Sequence, residues 1–291
     1  MKWTQRRHRF RSQINSEQCV YPGSVYDSIS ARIAEDLGYE IGMFAGSIAS
    51  LTVLGAPDHI VLTLSEFASQ AYRICRAGEL PLLVDADHGY GNALNVMRTV
   101  EELENSGVSA LSIEDTELPR PYAHGVKARL ISRPEAVGKM KAAISARHDP
   151  DLVIAGRTSA TAITGVADCI DRCRAYEDAG VDMIFLVGIK SRSDLETIAE
   201  SLRAPIILGG APNEMLDRDY LSDLGVRIAL QSHKPAMAAI KAAYDTLRAL
   251  REGQVTDTLN DVPSAELIGQ LTRASSYEEA IHTYLEPPRK T

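Results

Sequence analysis

Apolar positions along this chain fall into a repeating unit: a stretch with helical spacing ends in Gly, a short aliphatic run follows, and a polar loop comes next. Five copies are explicit: Gly38-Tyr-Glu-Ile-Gly-Met-Phe-Ala, Gly78-Glu-Leu-Pro-Leu-Leu-Val-Asp, Gly107-Val-Ser-Ala-Leu-Ser-Ile-Glu, Gly180-Val-Asp-Met-Ile-Phe-Leu-Val and Gly225-Val-Arg-Ile-Ala-Leu-Gln. Gly just past a helix accepts the left-handed conformation that ends it, and a nearly continuous apolar run suits a strand covered on both faces. Less regular runs at Cys19 to Ser24, Leu152 to Gly156 and Pro205 to Leu208 bring the candidate strands to eight, and segments such as Leu94 to Ser106 and Val166 to Ala179 carry helical spacing between them. The pattern predicts an α/β fold, a (β/α)8 TIM-type barrel, with a doubly wound open sheet as the alternative. No Pro- or Ser-rich linker interrupts it. The expected organisation is a basic arm over 1–16, the barrel over 17–252, and a helical extension over 253–291 with helices at Ser264 to Ala274 and Tyr277 to Tyr284, packing on its own or a partner subunit.

Composition narrows the classes. With 45% apolar and 24% charged residues in 291, disorder, collagen and coiled coil fit poorly. Thirty-nine acidic against 31 basic residues leave a net charge of −8, which argues against nucleic acid as a partner and requires a local cation, or a metal, wherever an anionic substrate binds. The N-terminus is the exception, with Lys2, Arg6, Arg7, His8, Arg9 and Arg11 together. Because Ser12, Gln13 and Asn15 follow rather than an apolar run, a solvated arm is expected and not a secretion signal. No apolar stretch approaches the ~20 residues that span a bilayer, so no membrane association is expected. The four cysteines make no disulfide framework, and Cys169 and Cys173, four apart in a helical pattern, read as buried free thiols in a reducing cytoplasm.

In such a barrel the loops after the strands share one face, where active sites lie. The second strand runs into Gly46 and Ser47, the third into Asp85-Ala-Asp-His-Gly-Tyr-Gly-Asn92, the fourth into Glu114 and Asp115, the fifth into Arg157 and the eighth into Ser232 and His233. Converging carboxylates repel unless a cation neutralises them, and Mg²⁺, which takes few carboxylates directly and keeps several waters, is the economical solution. Asp85 and Asp87 are expected on one side because strand side chains alternate, with Glu114 from the neighbouring strand holding a metal water. A lone strand-end acid more often caps the next helix; three on adjacent strands favour a metal. Gly89 and Gly91 are misspaced for a dinucleotide fingerprint, so NAD is not inferred.

These residues resemble the isocitrate lyase/phosphoenolpyruvate mutase superfamily over roughly Pro22 to Tyr244. The resemblance is carried by Pro22-Gly-Ser-Val-Tyr-Asp-Ser-Ile-Ser-Ala-Arg, Gly55-Ala-Pro-Asp58, Asp85 to Asn92, Ile113-Glu-Asp115 and Ala155-Gly-Arg-Thr158. It implies a Mg²⁺-dependent barrel, with Mn²⁺ as a substitute, acting on a 2-oxo acid or its enolate. It also implies a homotetramer whose subunits exchange their last barrel helix in pairs. Residue by residue it makes Asp85 the direct metal ligand and Asp58, Asp87 and Glu114 the supports of metal waters. Arg157 becomes the contact to the substrate carboxylate, and Gly46-Ser47 the loop that holds the oxo acid.

Departures select the reaction. Lyases of the superfamily carry Lys-Arg-Cys-Gly-His after the Ile-Glu-Asp segment, with Cys as acid/base; here the stretch reads Arg120-Pro-Tyr-Ala-His124, without a thiol. Lyases also place a Glu after strand six, where this chain has Val187-Gly188. The stretch Asp85 to Val100, Leu186-Val-Gly188 and His233 instead resemble the bacterial oxaloacetate decarboxylase branch. That implies decarboxylation of oxaloacetate or another 3-carboxy-2-oxo acid, with His233 touching the departing carboxylate or protonating the enolate. His88 is expected to pack beside the metal loop and His124 to lie on a gating loop. The branch's Tyr after strand seven is missing from Gly209-Gly-Ala-Pro-Asn213, which leaves Ala211 near its position and implies a wider pocket. The alternatives are a lyase of 2-alkylmalates or methylisocitrate-like acids using Tyr122 or His124, phosphonopyruvate chemistry drawing on Arg120, and a silent barrel that only binds a dicarboxylate.

Overall fold

The computed structural model describes residues 2–122, 125 and 127–286. Its first unit, Met1–Lys234, alternates strands and helices. The strands are β1 (Gly23–Ser24), β2 (Gly42–Phe44), β3 (Leu82–Asp85), β4 (Ala110–Glu114), β5 (Val153–Thr158), β6 (Met183–Val187), β7 (Ile206–Gly209) and β8 (Val226–Ala229). All pair in parallel, each with the next in sequence. Val20 then bridges to Ile228, with Val20 N–H donating to the Arg227 carbonyl (3.0 Å) and Ala229 N–H to the Val20 carbonyl (3.0 Å). The last strand thus meets the first, giving the (β/α)8 barrel expected from the sequence. β1 is shorter than the expected Cys19 to Ser24 because Pro22 has no N–H for the ladder.

β3 and β4 are buried along their whole length, as strands covered on both faces must be. The helices are α1 (Lys2–Ile14), α2 (Ser28–Asp36), α3 (Gly46–Ala49), α4 (Leu64–Ala77), α5 (Ala93–Asn105), α6 (Arg133–Ala146), α7 (Ala160–Ile163), α8 (Val166–Ala179), α9 (Arg192–Ala199) and α10 (Arg218–Asp223). Asn92 caps α5 by accepting the Leu94 N–H (2.9 Å), while Asn95 accepts the Asn92 N–H (3.0 Å). This reciprocal cap ends the loop after β3 at a defined point.

The basic arm expected to be solvated is instead α1, with Arg6 and Arg7 buried beside Phe10 and Ile14. Their guanidinium groups satisfy carbonyls where strands begin. Arg6 donates to Cys75 and Gly78 ahead of β3, Arg7 to Val108 (3.0 Å) and Glu104 (2.6 Å) ahead of β4, and Arg11 to Pro150 (2.7 Å) ahead of β5. Arg7 also pairs with Asp149 at 2.7 Å. α1 therefore closes the N-terminal end of the barrel, leaving the C-terminal end for chemistry.

The second unit, Pro235–Thr291, holds most of α11 (Lys234–Arg251), with α12 (Ala265–Thr272) and α13 (Ala274–Tyr284). The division falls at Lys234, earlier than the expected boundary at 253. All four cysteines are free and buried, with the sulfurs of Cys169 and Cys173 4.0 Å apart. No helix among the described residues is long and apolar enough to cross a membrane.

Candidate active site

The barrel's register builds the site. Asp85 and Glu114 end β3 and β4, and Arg157 is the penultimate residue of β5. Glu114 is paired with Arg157 and Asp85 with Ser112, so Asp85, Ser112, Glu114 and Arg157 present one face of the sheet. Ser112 Oγ donates to Asp85 Oδ1 (2.9 Å), Arg157 Nη1 pairs with Asp85 Oδ2, and Arg157 Nη2 with Glu114 Oε2 (3.2 Å).

Asp87 arrives by a different route from the one expected. β3 ends at Asp85, and Asp87 lies in a left-handed turn (φ 48°), so strand alternation does not explain why the two acids share a side. The turn is fixed by hydrogen bonds from Glu114 N–H to the Asp87 carbonyl (2.8 Å) and from Gly89 N–H to the Ala86 carbonyl (2.9 Å). It lays the Asp87 carboxylate against the bare Cα of Gly46, where an added Cβ would meet Asp87 Oδ1 at 2.5 Å. Any side chain at 46 would displace the acid.

A cavity of about 470 Å³ results, lined by Ser47, Asp58, His59, Ile60, Asp85, Asp87, Glu114, Leu118, Pro119, Arg120 and Arg157. It gathers the four expected acids with Arg157 and Ser47. Burial raises the pKa of Asp87 well above the ordinary carboxylate range, reinforced by Asp85, Glu114 and Asp58. Asp58 is raised by burial and then by Asp85. Glu114 is raised by burial, with Arg157 opposing and Asp85 adding to the effect. Burial works against the Arg157 charge, but Asp85 and Glu114 outweigh it and keep the guanidinium protonated. Arg157 Nε is buried and, among the described residues, has no hydrogen-bond partner.

Among the described residues, no three His, Cys, Asp or Glu side chains are gathered closely enough to hold a metal ion. The donor set nonetheless fits a hard divalent cation: every candidate is a carboxylate oxygen, and the acids oppose one another's ionisation around a shared volume. Spaced acids on one cavity suit an ion that takes one protein oxygen and meets the rest through water, the habit of Mg²⁺.

His233 does not line this cavity. It is half-buried, its Nδ1 2.8 Å from Ser24 Oγ, and Asp85's charge reaches it. His88 packs beneath the acidic loop as expected: its carbonyl accepts Lys139 Nζ (2.8 Å), and burial, with help from Lys139, pushes its imidazole down to about 4. Tyr122 is 98% exposed, and His124 lies outside the described residues. Sequence reasoning gave Asp115 no role. Fully buried, it accepts from Tyr176 Oη (2.6 Å) and Thr158 Oγ1 (2.9 Å) and pairs with Arg172 (3.2 Å), behind the strand ends that carry Glu114 and Arg157. Ser112, Ser24, Lys139, His59 and Ile60 were also missed. The register and turn contacts that place them leave no mark in local sequence.

Comparison with known proteins places the whole chain. Residues 10–251 match the phosphoenolpyruvate phosphomutase family. The chain is 52% identical over 287 residues to the oxaloacetate decarboxylase of Bradyrhizobium sp. strain BTAi1, covering 99% of both chains. Its fold is similar to that of an oxaloacetate acetylhydrolase in complex with 3,3-difluorooxalacetate, with 26% identity, a TM-score of 0.86, and 98% of this chain and 99% of that one covered. It is also similar to a phosphonopyruvate hydrolase in complex with oxalate and Mg²⁺, with 26% identity, a TM-score of 0.85, and coverage of 97% and 99%.

Proposed function

Since the chain belongs to the phosphoenolpyruvate phosphomutase family, we propose that it is a carboxy-lyase that decarboxylates oxaloacetate or a closely related 3-carboxy-2-oxo acid. The observation that carries this reading is the placement of Arg157, pinned between Asp85 and Glu114 in the acid-lined cavity. A guanidinium carries several N–H donors in one plane, so it can pair with acids and still offer N–H groups to a substrate carboxylate. Ser47 lines the same volume, and with Gly46, which lies against Asp87, it is assigned to hold the oxo acid. Asp85 is assigned as the direct ligand of Mg²⁺, or of Mn²⁺ in its place, with Asp58, Asp87 and Glu114 holding its waters. When bound, such an ion supplies positive charge to a 2-oxo group as electron density builds there.

The bond that breaks is C3–C4. The C4 carboxylate leaves as CO₂, the electron pair forms the C2–C3 double bond of enolpyruvate, and a proton added at C3 yields pyruvate. His233, four residues past the end of β8 and outside the cavity lining, is assigned to the departing carboxylate. No thiol is needed, and among the described residues no cysteine lines the cavity. The phosphonopyruvate alternative retains one supporting observation, Arg120 on the cavity wall.

The reading extends to a homotetramer of helix-exchanged pairs in the cytoplasm. Met237, Ile240, Tyr244 and Leu247 recur at three- and four-residue spacing on α11 and are all exposed, and four free thiols suit a reducing compartment. The test of function is a metal-supplemented panel of oxaloacetate, 2-alkylmalates and phosphonopyruvate with direct product detection. Excess CO₂ and pyruvate from oxaloacetate over metal alone are expected; turnover confined to another substrate class would contradict the assignment.

A further inference from the structure

At the seam where the barrel closes, Ser24 at the end of β1 faces His233, four residues past the end of β8. Ser24 Oγ lies 2.8 Å from His233 Nδ1, and among the described residues neither side chain has another hydrogen-bond partner. The residue just before the histidine, Ser232, has φ of +126°. A non-glycine residue there is strained and persists only where its surroundings dictate it. Two independent features therefore fix one imidazole: the strained backbone that turns it and the hydroxyl that ties one of its nitrogens.

A neutral imidazole has one donor nitrogen and one acceptor, and the partner on one nitrogen decides the role of the other. A carbonyl or carboxylate at Nδ1 would force the proton onto that atom. A serine hydroxyl can serve either tautomer, and when it donates, Nδ1 is the acceptor and the proton sits on Nε2. A nitrogen meant to meet an anionic substrate must carry a proton.

We propose that Ser24 is a positioning residue that donates to His233 Nδ1, holding the imidazole as the Nε2–H form so that Nε2 donates to a carboxylate of a dicarboxylic oxo acid. What Nε2 meets rests on the decarboxylase reading; the Ser24–His233 contact does not.

The test has a spectroscopic and a kinetic arm. In protein labelled with ¹⁵N-histidine, the His233 signals are identified by their loss in His233→Gln. Wild type is expected to show the Nε2–H form, Ser24→Thr to keep it, and Ser24→Ala to lose it to a mixture of forms. With oxaloacetate, Ser24→Ala is expected to lower kcat/KM about 10- to 100-fold, the usual cost of removing a group that orients a functional imidazole. Ser24→Thr restores most of that loss, and adding Ser24→Ala to His233→Gln costs nothing further, since a residue acting through His233 has nothing left to act on. A wild-type Nδ1–H form, a signature unchanged in Ser24→Ala, or fully additive kinetic losses would overturn the proposal. If wild type does not turn over oxaloacetate, the functional reading fails while the spectroscopic arm still decides the role of Ser24.

Discussion

Arg157 shows how much one side chain settles in this site. It neutralises Asp85 and Glu114 and lies over the Phe185 ring with 5.4 Å from its guanidinium carbon to the ring centroid. Lysine has the charge but not the planar fork, so it cannot pair with two acids and still offer a directed donor. Arg157→Lys is expected to lower kcat/KM at least about 100-fold, or about 2.7 kcal/mol of transition-state stabilisation. Steady-state kinetics check it, and a loss below about threefold would remove Arg157 from the substrate site. The chemically loud residues were legible at this scale: Asp85, Glu114 and Arg157 stand at strand ends with Asp87 just beyond β3, and Asp58 followed from the family resemblance alone. The reason given for Asp87 was not, since a left-handed turn and the missing side chain of Gly46 bring it in. Ser112 and Ser24 were illegible because serine is common in strands, and only register and closure set them against Asp85 and His233.

Among the elements, five of the eight strands were legible because Gly followed by an aliphatic run marks a helix end and a strand start, and the other three showed as less regular apolar runs. α1 was misread because a run of charges reads as solvated until its partners are known. Here those partners are carbonyls at strand starts, and Asp149, which accepts from Arg7 (2.7 Å) and Thr4 (2.9 Å). Burial alone would raise the Asp149 carboxyl, but Arg7, the Asp151 N–H and Thr4 outweigh it and hold its pKa below the usual range. A carboxyl lowered by folding stabilises the fold above its unfolded pKa of about 3.9, and that contribution is lost as pH falls through the folded value. Arg7→Met is expected to cost about 3 kcal/mol near neutral pH by stranding buried partners. It should also flatten the fall in stability below about pH 4. Urea midpoints at pH 6 and pH 3.5 measure both; an unchanged midpoint at pH 6 would mean that α1 does not hold the barrel's lower end.

At the scale of the molecule, eight strands in sequence order place every loop that carries chemistry at one end and the packed arginines of α1 at the other. Exposed apolar positions on α11 underlie the oligomer proposal. Sedimentation equilibrium is expected to give four chain masses, and a stable monomer would remove the helix-exchange reading. The claim on which the rest depends is that the acid-lined cavity holds a divalent cation for breaking a carbon–carbon bond. Its most direct test is the rate of CO₂ release from oxaloacetate across a Mg²⁺ titration, with the metal-only rate subtracted, for wild type and Asp85→Asn. The expected result is a saturable Mg²⁺-dependent rate in wild type that falls at least about 100-fold in the variant. No excess over metal alone, or equal rates in the two proteins, would contradict it.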